Sequence, residues 1–326
     1  MPKSLLAWLH PQSEYVDYGS VDYWLGYFRK HYGISKMLKG IIFSSIQLLK
    51  KSSLDLREEH VVDVNGCKLS TIPNDSGISY ELLLFKTHEP LATEVLKKVL
   101  KKGMVCLDAG SNIGYYALLE LKLAGNEGKV IAVEPSSLNY SYLKKNIHQN
   151  GFDDAVTFRL ALSSSDGVVP FLMHKYSNLS KVVDENYSYS EGSIVNVPAR
   201  SLDSLTEQYH LDKLDFLRMD VEGYETEIFR GGQHTIEKFR PVIFIEVHKS
   251  ILGLKATVDF LRSLQNLGYD IKYYIPRELD HPLIGNMKDI QKLSITQLIE
   301  KLKGDLIPGD FHLFLVNSEH ASLVKA

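Results

Sequence analysis

A chain of 326 residues, 44% hydrophobic and 24% charged, has the composition of an ordinary globular protein, with material for one large domain or two modest ones. The formal charge of −3 argues against a dominant nucleic-acid surface, and two isolated cysteines, Cys67 and Cys106, argue against a disulfide framework or a zinc site. No apolar run approaches the length that crosses a bilayer, and the N-terminal apolar stretch is too short for a secretory leader, so a reducing, cytoplasmic setting is expected.

Residues 1–58 do not alternate between strand and helix patterns and are expected to form a helical extension. From Ile34 to Lys51 the residues Leu38, Ile41, Ile42 and Leu49 recur near helical spacing, and no acid lies between Arg29 and Lys51. Such a helix either packs on the main domain with a solvated basic face or lies against a membrane surface or an anionic partner. Residues 59–102 read as a hairpin and a lead-in helix packed on the core. Asn65-Gly66 between two alternating runs is a hairpin signal. After Pro90, Leu91 to Lys101 has the apolar spacing of a helix, with Val95, Leu96, Val99 and Leu100 on one side.

Residues 103–326 carry a strand–helix rhythm. Met104–Asp108, Lys129–Glu134, Val156–Ala161, Leu214–Asp220 and Val242–His248 read as apolar strands. Helices are expected at Ile113–Leu123, Leu138–Gln149, from Glu225, and at Lys255–Leu267; Ile271–Ile275 and Phe311–Val316 supply late strands. Two insertions interrupt the rhythm. The first, near 166–200, has two short strands flanking a polar loop and suits a substrate cover; its Tyr176, Tyr187 and Tyr189 could stack on a sugar or aromatic ring. The second, near 277–310, contains a helix at Ile295–Leu302. The pattern predicts an α/β, Rossmann-like fold: a mostly parallel seven-stranded sheet with helices on both faces.

In such a sheet, ligands bind beyond the carboxyl ends of the strands where the strand order reverses. The first strand ends in Asp108-Ala-Gly-Ser-Asn-Ile-Gly114. Gly110 and Gly114 permit a tight turn, with Ser111 and Asn112 between them. Glu134, at the end of the second strand, is placed to accept the ribose hydroxyls of an adenine nucleoside. The turn lacks the third glycine of a pyrophosphate-binding loop and opens with an acid. It therefore suits a cationic sulfonium, S-adenosyl-L-methionine, better than a dinucleotide. The fourth strand ends in Asp220-Val-Glu222-Gly-Tyr-Glu225 and the fifth in Glu246-Val-His248, which converges acids and an imidazole on the same rim. Glu225 also reads as a favourable charge at the start of the next helix.

These stretches together resemble the FkbM-type methyltransferases, a branch of the seven-stranded class I enzymes. The resemblance rests on Val105–Tyr116, Val130–Pro135, Asn146–Gly151, Leu217–Gly223 with Gly231-Gly232, and Ile245–His248, and on Gly77–Glu81 and His88-Glu-Pro90 upstream. It spans residues 60 to 275. It implies O-methylation of a hydroxyl on a sugar, glycolipid or secondary metabolite, with Asp108, Gly110, Ser111, Asn112, Gly114, Glu134 and Asp220 toward the cofactor. His248 is the expected base, with Asp220 and Glu222 as alternatives in that role or as orienting groups. Transfer to a hydroxyl requires no metal, and none is expected. Two other readings compete: a NAD-type Rossmann oxidoreductase and a non-catalytic cofactor-binding module.

Overall fold

The computed structural model describes residues 21–51, 55–75, 77–174, 179–183, 192–307 and 309–320. Residues 1–20 of the expected extension, and Tyr176, Tyr187 and Tyr189, lie outside the described residues.

The centre is a seven-stranded sheet formed by β3 (Val105–Ala109), β4 (Lys129–Val133), β5 (Val156–Phe158), β10 (Phe216–Met219), β11 (Val242–Val247), β12 (Tyr269–Pro276) and β13 (Phe311–Asn317). Its spatial order is β12-β13-β11-β10-β3-β4-β5, and β13 alone runs against its neighbours. The five strands from β5 to β11 pair in parallel, as expected for apolar runs buried on both faces. The chain winds outward from β3 to β5 and then returns to β10 on the other side of β3. That reversal opens a crevice at the carboxyl ends of β3 and β10.

Helices α3 (Pro90–Val99), α4 (Tyr115–Ala124) and α5 (Ser137–Gln149) build one apolar layer with the hairpin β1 (Val61–Val64) and β2 (Cys67–Ser70). At the hairpin tip Asn65 and Gly66 both have positive φ, 54° and 73°, as the expected turn requires. A second layer brings α6 (Leu202–Gln208), α7 (Glu225–Arg230), α8 (Gln233–Phe239), α9 (Lys249–Asn266) and α10 (Ile295–Lys303) against the sheet. Cys67 and Cys106 are both buried free thiols.

Four details depart from the sequence reading. The third strand breaks after Phe158, and Ala161–Ser163 instead becomes β6 of a separate sheet. The helix from Glu225 is split at Gly231-Gly232, where a Cβ on Gly231 would sit 2.1 Å from the Ser163 carbonyl oxygen. The helix after the fifth strand begins earlier, at Lys249, with a kink at Gly253. Between hairpin and α3 lies an unforeseen helix, α2 (Ile78–Phe85).

The first insertion forms β7 (Gly167–His174), β8 (Lys181–Val182) and β9 (Gly192–Ser201), which join β6 in a four-stranded sheet ordered β6-β9-β7-β8. The predicted strand pair is β7 and β9, antiparallel over their full register.

Helix α1 (Val21–Lys51) is kinked at Gly33. It buries Phe28 and Phe43 against Leu279 and Ile284, and Lys36 pairs with Asp289. The opposite face leaves Ile34, Leu38, Ile41 and Ile42 exposed at spacings of four, three and one, so both a core-packed side and an unburied apolar stripe are present.

Candidate active site

The carboxyl ends of β3, β4, β10 and β11 border a cleft of about 950 Å³, which the small sheet lines through Phe171 and Val182. Residues of the expected cofactor turn meet it directly. Gly110 has a φ of 84°, and a Cβ there would lie 2.0 Å from the Asp220 carbonyl oxygen. Only glycine satisfies both conditions. Asn112 also takes a positive φ, 50°, and donates its backbone N–H to Glu134 Oε2 at 2.8 Å. Ser111 spends its hydroxyl on the Asp108 carbonyl at 3.0 Å. At Gly114 the φ is 97°, and a Cβ would press on Leu143 at 2.9 Å.

Glu134 is buried at the cleft wall, and its second oxygen accepts from the Ser136 N–H at 2.9 Å. Burial raises its pKa to about 7 against the opposing pull of those backbone donors. Each oxygen retains a lone pair for a ligand donor.

The electrostatic role expected of Asp108 is corrected by its position. Its side chain is wholly buried beneath the turn and does not line the cleft. Arg218, also buried, donates to Asp108 Oδ1 at 2.9 Å, to the Gly110 carbonyl at 3.3 Å and to Asp220 Oδ2 at 2.6 Å. The guanidinium lies 4.1 Å from the Tyr116 ring centroid. The acid at the start of the turn is thus compensated from within the protein, and it fixes β3 to β10 rather than presenting charge to a ligand.

Asp220 and Glu222 do face the cleft. Burial, then the neighbouring Glu246 carboxylate, raises the Asp220 pKa to about 7 in spite of Arg218. Glu222, at a φ of 56°, is likewise raised, chiefly by burial.

His248 departs from the role of base. It is 1% exposed and does not line the cleft. Its Nδ1 meets Glu225 Oε1 at 2.8 Å, and its Nε2 faces Glu222 at 3.4 Å and Glu246 at 3.8 Å. Burial opposes charge on the ring, but Glu225, Glu222 and Glu246 outweigh it and hold the pKa well above the ordinary histidine value. A ring buried behind the carboxylates does not touch a substrate in the cleft directly. Glu225 does more than serve the start of α7, since the same oxygen accepts from the Gly223 N–H at 3.1 Å and so ties the loop to the imidazole.

The sequence reading missed a second group at the rim. Glu89, Arg277 and His88 line the cleft beside Glu246. Arg277 Nε lies 2.9 Å from Glu246 Oε1 and its Nη2 3.3 Å from Glu89 Oε1. Behind them His312 Nε2 is 3.3 Å from Glu246, while its Nδ1 is 3.2 Å from Asp280. One signal stood in the sequence, His88-Glu-Pro90 in the upstream part of the family resemblance, but nothing there joined it to Arg277, Glu246 or His312.

A family model described as the methyltransferase FkbM domain matches residues 108–271, half of the chain. The chain is 28% identical to methyltransferase sdnD of Sordaria araneosa, over 51% of this chain and 73% of that protein. It is 29% identical to hexuronic acid methyltransferase AglP of Haloferax volcanii, over 53% and 70%. Identity to 2-O-methyltransferase NoeI of Sinorhizobium fredii is 24%, over 53% and 76%.

Proposed function

The chain belongs to the FkbM methyltransferases, and from that premise we propose that it uses S-adenosyl-L-methionine to methylate a hydroxyl of a sugar or glycolipid. The observation that carries the reading is the single cleft that joins the Gly110–Gly114 turn and Glu134 to the carboxylates Asp220 and Glu222. The donor, when bound, supplies a methyl group on a sulfonium whose departure leaves a neutral thioether. Gly110, Ser111, Asn112 and Gly114 shape the backbone around it, and Glu134 accepts the ribose hydroxyls. Asp108 supports the turn through Arg218. Asp220 and Glu222 orient the acceptor and take its hydroxyl proton, a contribution of geometry and proton transfer together. His248 is a positioning residue that fixes Glu222.

The Asp220–Glu222 wall accepts hydrogen bonds from sugar hydroxyls and repels a second carboxylate, and the Arg277 and Arg218 guanidinium groups on the lining are already engaged by Glu89, Glu246 and Asp220. A neutral sugar therefore suits this cleft better than the hexuronic acid named for the Haloferax relative. The exposed stripe on α1, with basic residues and no acid between Tyr23 and Leu54, favours a lipid-linked acceptor met at an anionic surface.

One experiment addresses these points: the full chain, methyl-labelled S-adenosylmethionine, and a panel of hexoses, hexuronic acids and a lipid-linked sugar in anionic vesicles. Label is expected on a neutral sugar, at higher turnover in vesicles than on the free headgroup. Binding of NAD but not the methyl donor would restore the oxidoreductase reading. Donor binding without label on any acceptor would favour the non-catalytic module.

Glu134 gives a separate check with adenosine, whose own groups do not ionise near neutrality. The ionised carboxylate is the better acceptor, so affinity should rise with pH through about 7. At a pH one unit below that value, binding is expected to be up to about tenfold weaker than on the alkaline plateau. A flat profile would remove Glu134 from the ribose. The same raised pKa means that this group's contribution to fold stability is complete below 4.5 and is lost as pH rises through about 7.

A further inference from the structure

We propose that Asp220, Glu246 and His248 form a binding site for a divalent transition-metal cation at the wall of the cleft. The candidate ligand atoms of these three residues all lie within 4.8 Å of one another, close enough for one ion to touch all three. They come from the ends of two adjacent strands, β10 and β11, so the sheet itself sets their spacing.

The imidazole supplies the independent observation. His248 Nε2 is buried, makes no hydrogen bond, and points toward the carboxylates of Glu222 and Glu246. The opposite nitrogen, Nδ1, is held by Glu225 at 2.8 Å. A carboxylate on the far side of the ring fixes the tautomer that leaves Nε2 as the ligand and strengthens it as a donor.

Charge points the same way. The linked groups include Asp108, Asp220, Glu222, Glu225, Glu246, Glu89, Asp280 and Glu81, against Arg218, Arg277, His88, His248 and His312. Even with each imidazole protonated, carboxylates outnumber cations. A divalent ion would offset the excess and replace the proton on Nε2.

A neighbouring triad, Glu89, Glu246 and His312, also brings its ligand atoms together. There the Arg277 guanidinium already bridges Glu89 and Glu246. It holds both carboxylates of that triad, and Tyr116 donates to the other Glu89 oxygen at 2.7 Å; in the Asp220 set two separate arginines hold one oxygen each, Arg218 on Asp220 Oδ2 and Arg277 on Glu246 Oε1. The Asp220 set, by contrast, has two members, Asp220 and Glu246, at the open cleft, which leaves a position for an oxygen from outside. One nitrogen and two carboxylates favour Mn²⁺ or a later first-row cation over Ca²⁺ or Mg²⁺. Resting on the methyltransferase reading, the ion's role would be to hold the acceptor hydroxyl oxygen and acidify it. Glu222, beside the site and outside the ligand set, would then receive the proton.

The test needs neither donor nor acceptor. The full chain is treated with a chelator, dialysed, and titrated with Mn²⁺ while the electron spin resonance signal of free Mn²⁺ is followed. One ion per chain is expected, with affinity at least about tenfold weaker in Asp220→Asn and in His248→Gln. Spin-echo measurements should show ¹⁴N modulation from a bound imidazole, lost in His248→Gln. Circular dichroism and urea denaturation with an unchanged cooperative transition establish that both variants remain folded. The proposal is overturned by absence of stoichiometric binding, by wild-type affinity in folded variants, or by loss in Glu89→Gln with none in Asp220→Asn. None of these outcomes touches the methyltransferase reading, because no methyl transfer is measured.

Discussion

Replacing Gly110 by alanine is expected to abolish adenosine binding and to lower stability by several kcal/mol. Two penalties act at one carbon. The residue sits at a φ of 84°, and the new methyl would lie 2.0 Å from the Asp220 carbonyl oxygen, 3.0 Å from its carbon and 3.4 Å from Val221 Cγ1. The backbone conformation alone costs about 1 kcal/mol for a residue with a Cβ. Overpacking against a fixed neighbour adds about 1–3 kcal/mol. The obstacle is backbone, held in the sheet by the Asp220 N–H to Ala109 carbonyl bond at 3.1 Å, and it cannot swing aside as a side chain would. Relief comes only by moving the β10 end away from the turn, which separates the two walls of the cleft. Urea denaturation and an adenosine titration read both effects. A variant with parental stability and affinity would show that the turn relaxes in a way this packing does not permit.

The second large effect concerns Arg218. Substitution by methionine keeps much of the volume but leaves Asp108 buried without its guanidinium partner, and breaking a buried pair from one side costs about 3–5 kcal/mol. The surroundings offer little compensation. Glu120, fully buried with neither carboxylate oxygen hydrogen-bonded, is already pushed well above the usual carboxylate range, by burial first and then by Asp108. Removing Arg218 also strips Asp220 of its 2.6 Å donor and Tyr116 of the cation over its ring. Adding Asp108→Asn to Arg218→Met should recover part of the loss, because the uncompensated charge disappears with it. Equal stability of the single and double variants would mean that the pair is not coupled as its geometry implies.

The central sheet was legible because buried parallel strands are written as short apolar runs, and five of them stand between helices of ordinary spacing. The cofactor turn was legible for a different reason: Gly110 and Gly114 mark positive φ, and Glu134 follows at the next strand end. Partner choice was not legible. Periodicity places Asp108 at a strand end but does not reveal that Arg218, on a strand formed more than a hundred residues later, faces it across the sheet. The same limit hid Glu89, Arg277 and His312, which come from three distant segments. The surroundings of His248 were not legible either: the sequence places it at a strand end but does not show its burial or that Glu225, Glu222 and Glu246 enclose it. The run Ile78–Phe85 is apolar almost throughout, so its sequence does not separate helix from buried strand.

The place of β13 has a consequence for biosynthesis. It lies between β11 and β12, so β12, although made earlier, has no partner in the sheet until the last strand arrives. His312, on that strand, is also the group through which Asp280 and Glu246 meet, while Asp280 accepts from the Leu91 and Ala92 N–H groups of α3. A nascent chain can therefore pair β3, β4, β5, β10 and β11 as they emerge, and yet hold an open sheet edge and an incomplete rim. Closure waits on contacts between segments some 190 residues apart, which are slow to find. Until translation passes residue 317, the half-built protein exposes an unpaired β11 edge, the kind of surface that chaperones guard.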